Sequence, residues 1–206
     1  MVQLLSTEQM AEFANSGCLF FDGLIDNETN KEFLNDIGHT DIENVDNMQK
    51  YFQNIKASSS IPRIPAGTPL KNAYPYKSPL EKIFKNEVVA GAINSLVGSE
   101  AVVDHQFLHL TFPTKYFKKT NQRQMSQVNH QDSTIDPRIT FDIQLFYFPT
   151  DVTKEMGGTR YHPGTHLRIV NEMGIAKYQN IKGQKNIVCK AGTIGIFHNG
   201  LWHGAR

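Results

Sequence analysis

Apolar residues recur at helical spacing through much of the first half of this chain and in β-type runs through the second, so the predicted elements change character near residue 98. Ser6-Thr7-Glu8-Gln9 reads as a capping box with Ser6 at the N-cap, and Met10, Phe13 and Ala14 follow on one helical face. Gly17 ends that helix. CLFFDGLI (18–25) reads as a short buried strand closed by Asp22-Gly23, and a polar helix is predicted through NETNKEFLNDI (27–37). Residues 57–79 are proline-rich and carry no sustained period, which predicts a long irregular segment of the kind that often forms a lid or a surface excursion. Ser78-Pro79-Leu80-Glu81 is the clearest helix start. Leu80, Ile83, Phe84, Val88, Ala92 and Leu96 then make one face, predicting a single helix closed by Gly98.

Beyond that point the runs are β-branched and aromatic: 102–112, 139–148, 158–162, 186–190 and 193–199. Helices gathered first and short strands later, joined by polar connections, predict helices packed on an antiparallel sandwich or barrel. The expected organisation is one domain over 1–206, with a helix-rich part (1–98) containing the loop 57–79 and a β core (99–206).

Charge and cysteine content narrow the partners. Lys and Arg number 21 against 20 Asp and Glu, so nothing favours nucleic acid or an anionic membrane, and a small-molecule partner is expected. Cys18 and Cys189 are far apart and form no CxxC, which fits a reducing compartment and suggests neither a disulfide framework nor a thiolate zinc site. The amino terminus has no basic n-region or long apolar run, so a cytoplasmic location is expected.

Spacing separates the eight histidines. In SQVNHQDST, His130 and Asp132 lie two apart, which puts both side chains on one face of an extended strand, within reach of one metal ion. His203 follows far downstream after another β run. Two imidazoles and a carboxylate brought together by a sheet that folds back would make the facial triad of non-haem iron(II) oxygenases. Gln127, Gln144 and Phe146 are candidates to line the same cavity, against the simpler reading of ordinary sheet residues. His105 and His109 share a strand face but lack a carboxylate between them. His198 reads as a neighbour of the site, His162 and His166 flank a Pro-Gly turn, and the basic run 115–123 reads as a loop open to an anionic substrate or simply solvated.

Four landmarks in order resemble the phytanoyl-CoA dioxygenase family of iron(II)/2-oxoglutarate oxygenases: LSTEQMAEFANSGCLFFDGLID (5–26), NHQD (129–132), EMGGTRYHPGTH (155–166) and AGTIGIFHNGLWHG (191–204). The resemblance implies a double-stranded β-helix, a cupin-like jelly roll with helices packed on one sheet, and makes His130, Asp132 and His203 ligands of Fe(II). It implies 2-oxoglutarate as co-substrate with O2, decarboxylated to succinate and CO2 as a small organic substrate is hydroxylated. Related halogenases lack the carboxylate, so Asp132 points to hydroxylation. The family's arginine for the distal 2-oxoglutarate carboxylate is expected about ten residues past the distal histidine, where this chain has no residue. Arg206 is on the wrong face, and Ala205 stands where a hydroxyl residue is common. The expectation is therefore a reading frame truncated before its final strand, with an exposed sheet edge. Two further readings stay open: a metal enzyme that does not use 2-oxoglutarate, and a cupin-like binding protein.

Overall fold

The computed structural model describes residues 2–39, 47–56, 61–111, 117–118, 126–132, 141–168, 171–178 and 180–205. The basic run 115–123 apart from 117–118, residues 57–60, 112 and 139–140, and Arg206 lie outside them. Helix α1 (Thr7–Ser16) starts at the expected box: Ser6 Oγ accepts from the Gln9 amide and the Gln9 side chain accepts from the Ser6 amide. It ends at Gly17, whose φ of 75° is the left-handed conformation glycine adopts without cost. Strand β1 (Cys18–Phe21) follows, then α2 (Asn27–Asp36), capped by Asp26.

Helix α3 (Met48–Lys56) was not anticipated; its signals are Asn47, whose Oδ1 accepts from the Lys50 amide, and the i,i+4 pair Tyr51 and Ile55, both buried. The single helix predicted after Ser78 is two: α4 (Pro79–Lys85) and α5 (Glu87–Leu96). Asn86 leaves the helical region at φ −54°, ψ 130°, and its Oδ1 accepts from the amides of Val88 and Val89, starting a new helix in place of continuing the old one. The irregular segment contains β2 (Thr68–Pro69), which pairs with β3 (Val102–Val103). The rest of the predicted strand 102–112 forms no ladder among the described residues, although residues 104–110 keep alternating in exposure.

The later strands are β4 (Ile143–Phe148), β5 (Arg160–Tyr161), β6 (Lys185–Asn186), β7 (Thr193–His198) and β8 (His203–Gly204), with a short helix α6 (Glu172–Ala176) before β6. They form antiparallel sheets in the orders β1-β7-β4 and β6-β5-β8. Period-two alternation gives the first sheet two different faces. Leu19, Ile143, Leu145, Tyr147, Ile194 and Ile196 meet Phe13 of α1, Ile83 of α4 and Val89, Ala92 and Ile93 of α5. Cys18, Phe20, Phe146, Phe148 and Phe197 face the other way, against Tyr161 of the second sheet and Ile187 and Leu201 next to its strands. Burying one such large apolar side chain contributes about 1.5–3 kcal/mol, so the sheet is held from both sides.

A histidine stack fastens α1 to this sandwich. His166 donates from Nε2 to the Ala14 carbonyl at 3.1 Å, and its ring lies 5.1 Å from that of His198 at the end of β7. A Cβ on Gly17 would run into the His166 ring. Burial, assisted by the neighbouring His166, holds the His198 imidazole down to about 4. In the unfolded chain the same ring protonates near its ordinary 6.5, so its stabilising contribution is complete above that value and is lost as pH falls towards about 4. Thermal unfolding followed across that interval should show a falling Tm, and His198→Phe should lower Tm at neutral pH but flatten its acid decline.

Candidate metal centre

Residues 126–132 run antiparallel to 199–205 and add an edge to the second sheet. His130 and His203 exchange backbone hydrogen bonds at 3.0 Å in both directions, the Gln127 amide donates to the Ala205 carbonyl, and the Asp132 amide donates to the Asn199 carbonyl. Directly opposed residues of an antiparallel pair project to the same face, so the pairing itself sets the two imidazoles side by side, with ring centroids 4.4 Å apart. Asp132, two residues on, joins them. Its Oδ1 lies 3.5 Å from His130 Nε2 and its Oδ2 3.3 Å from His203 Nε2, and the three groups offer ligand atoms all within 4.8 Å of one another. Two donors about 2.1 Å from one metal ion and at right angles would be about 3 Å apart, so the spacing suits a single ion.

The proton positions suit it too. His130 Nδ1 lies 2.9 Å from the Val128 carbonyl and His203 Nδ1 2.9 Å from the Leu201 carbonyl. A carbonyl only accepts, so each Nδ1 carries the hydrogen and each Nε2 turns a lone pair to the centre. Burial pushes the His203 imidazole below its ordinary value, against the field of Asp132 and the bond to Leu201, which keeps the ring neutral. At Asp132 burial acts to raise the carboxyl, but the neighbouring His130 and His203 imidazoles outweigh it and hold it below the usual carboxylate range. One anionic oxygen donor and two neutral nitrogens are thus ready at neutral pH, and three protein donors leave coordination positions for other molecules.

A second set of residues holds this edge in place, and the sequence reading did not single it out. Gln131 donates from Nε2 to the carbonyls of Gly200 (2.7 Å) and Arg168 (3.0 Å). On the face away from the triad, buried Arg160 donates from Nε to Asn129 Oδ1 at 2.7 Å and from its guanidinium to the Gln127 carbonyl, while Asn129 Nδ2 donates to the Tyr178 carbonyl at 2.5 Å. The guanidinium crosses over Gly204, where a Cβ would lie 2.9 Å from Arg160 and 2.9 Å from the Val128 carbonyl. The alternation that aims His130 and Asp132 at the centre aims Asn129 and Gln131 away from it, which was the available signal.

The remaining candidates divide. Gln144 donates from Nε2 to Asp132 Oδ2, and its Oε1 is buried without a hydrogen-bond partner among the described residues. Phe146 and Phe197 each place a ring 6.3 Å from that of His203, forming an apolar floor. Gln127 Nε2 lies 3.3 Å from His130 Nε2, and its Oε1 accepts from the Ala205 amide. His105 and His109 contribute to the electrostatics at Asp132 and His203 respectively, and neither joins the donor set. His162, His166 and His198 lie outside that set as well, and His162 is buried against Trp202.

Two facing antiparallel sheets with a His-x-Asp and a distal histidine at one end define the class of non-haem iron oxygenases built on the double-stranded β-helix. The family model described as phytanoyl-CoA dioxygenase (PhyH) matches residues 9–206, and the chain belongs to that family of iron- and 2-oxoglutarate-dependent oxygenases. Its fold is shared with HygX from Streptomyces hygroscopicus, solved with nickel, 2-oxoglutarate and hygromycin B bound, at 15% identity and a TM-score of 0.57 over 98% of this chain and 81% of that one. It is likewise similar to SnoK, a non-haem α-ketoglutarate-dependent carbocyclase of nogalamycin biosynthesis (15% identity, TM-score 0.58, 98% and 78% covered). SnoN, the α-ketoglutarate-dependent epimerase of the same biosynthesis, aligns at 15% identity with a TM-score of 0.54 over 95% and 74%. A search of the curated proteins gives no match.

If Gln144 orients the carboxylate, Gln144→Leu should weaken Co(II) binding about 10–100-fold, the usual effect of removing a hydrogen bond to a metal ligand. Calorimetric titration of the variant checks this, with unchanged affinity as the contrary result.

Proposed function

We propose that this chain is an iron(II)- and 2-oxoglutarate-dependent hydroxylase of a small organic substrate, with His130, Asp132 and His203 as the iron ligands. The observation that carries the reading is the convergence of two Nε2 lone pairs, each fixed by an Nδ1–H bond to a carbonyl, on one carboxylate. Iron bound there would take 2-oxoglutarate and dioxygen at its open positions and supply the oxidising power, the balance being substrate C–H, 2-oxoglutarate and O2 to substrate C–OH, succinate and CO2.

The protein's own residues position and exclude. Asp132 supplies the negative charge that helps hold a dication, and Gln144 restrains the Asp132 carboxylate through its amide hydrogen. The unpartnered Oε1 of Gln144 is a buried acceptor beside the centre that a bound water or a protonated group of a ligand would satisfy. Phe146 and Phe197 keep one side of the centre apolar, which limits water near the reacting carbon. Gln127, whose side chain lies beside His130, joins Gln144 and Phe146 as a proposed contact of the co-substrate.

Small-molecule chemistry is favoured over nucleic acid by a net charge of +1, and a relative that shares the fold is solved with hygromycin B. No helix among the described residues is long and apolar enough to cross a membrane. With both cysteines free, a cytoplasmic location is part of the proposal.

Anaerobic titration of the protein with Fe(II) and 2-oxoglutarate should develop the weak visible charge-transfer band of the chelate, and admission of air should yield succinate. His130→Ala should lose both. A variant that kept both signals would refute the ligand assignment, while a wild-type band without succinate on exposure to substrates and air would favour the binding-protein reading.

A further inference from the structure

Residues 104–110 do more than connect the helices to the site. Gln106 is held between the Pro62 carbonyl, to which its Nε2 donates, and Tyr74, whose hydroxyl donates to its Oε1 at 3.1 Å. Leu108 and Leu110 pack against the core formed by Phe33, Ile37, Tyr51 and Ile55, together with Tyr147. Tyr147 lies on the helix-covered face of β4, whereas Gln144 and Phe146 lie on the face turned to the metal centre. Gln106, Leu108 and Leu110 therefore anchor on the helix side, and by alternation His105, Phe107 and His109 project to the opposite side, the one that Gln144 and Phe146 take on β4.

These three rings form a continuous stripe. Phe107 is 71% exposed, so its ring is open to a ligand. His105 meets it edge-on at 4.6 Å and His109 at 5.8 Å, and Asp104 Oδ2 lies 2.5 Å from His105 Nδ1, which fixes that imidazole. The apolar platform is one ring wide and is bounded on both sides by groups that can donate or accept a hydrogen bond. An acyl chain needs a continuous apolar trough, which imidazoles at both edges interrupt. A saturated ring with hydroxyl substituents matches better, its C–H face on Phe107 and its hydroxyls towards His105 and His109.

We propose that His105, Phe107 and His109 form the substrate-recognition wall of this centre and that it takes a polyhydroxylated ring of the sugar or cyclitol type. The assignment rests on the hydroxylase reading for the reaction, but binding can be read apart from turnover. Saturation-transfer NMR on the Zn(II)-loaded protein, with methyl α-glucoside, myo-inositol and octanoate as probes, should show transfer to a ring compound. Phe107→Ala should cut that transfer at least about threefold, as should the double variant His105→Ala/His109→Ala. Tyr76→Ala, which removes an equally exposed ring outside the segment, should not. Thermal unfolding of each variant separates loss of the wall from loss of the fold. Transfer to octanoate alone, no transfer to either ring compound, or a ring signal undiminished in folded Phe107→Ala would each overturn the proposal. The Fe(II)/2-oxoglutarate band, recorded on a metal-free portion of the same protein loaded with Fe(II) in place of Zn(II), reports separately whether the reading of the centre has failed.

Discussion

The antiparallel pairing of His130 with His203 is the constraint on which the centre depends. Neither residue is near the other in sequence. Two reciprocal backbone hydrogen bonds put them opposite each other, and the pleat then sends both side chains and that of Asp132 to one face. A slip of one residue would turn the triad outwards and bring Asn129 and Gln131 in, so the register must be well fixed. The bonds from Arg160 to Asn129 and the Gln127 carbonyl, and from Gln131 to Gly200 and Arg168, serve that end. They are made by residues that point away from the metal side, which lets support and chemistry occupy opposite faces of the same short strand.

The first sheet contributes in a different way. Its helix-covered face is mostly aliphatic, while its other face brings aromatic rings and one amide to the centre. Because alternation assigns these roles along β4, Gln144 and Phe146 reach the triad and Leu145 and Tyr147 the helices. Along 104–110, which form no ladder among the described residues, Gln106, Leu108 and Leu110 likewise anchor on the helix side.

Much of this was legible in the sequence because it depends on local rules. The box at Ser6, the stop at Gly17, the alternating runs at β4 and β7 and the two-residue spacing of His130 and Asp132 each have a direct structural consequence. The interruption at Asn86 was missed because apolar periodicity continues across it; a single side-chain oxygen capping Val88 and Val89 outweighed the pattern. Helix α3 was missed because its stabilisation comes from Tyr51 and Ile55 packing under α2, a tertiary effect on a short polar segment. The β runs at 102–112 and 158–162 are laddered over fewer residues than they suggest, since β propensity marks a half-buried extended chain whether or not a partner strand runs alongside. The support by Arg160 needed the strand order, which no local pattern contains.

The central claim is that one iron ion sits between His130 Nε2, the Asp132 carboxylate and His203 Nε2. Anomalous diffraction at the iron edge, from crystals loaded with Fe(II) under anaerobic conditions, tests it most directly. A single strong peak about 2 Å from all three donors is the predicted result; a peak elsewhere, or one that leaves any of the three uncoordinated, would contradict it.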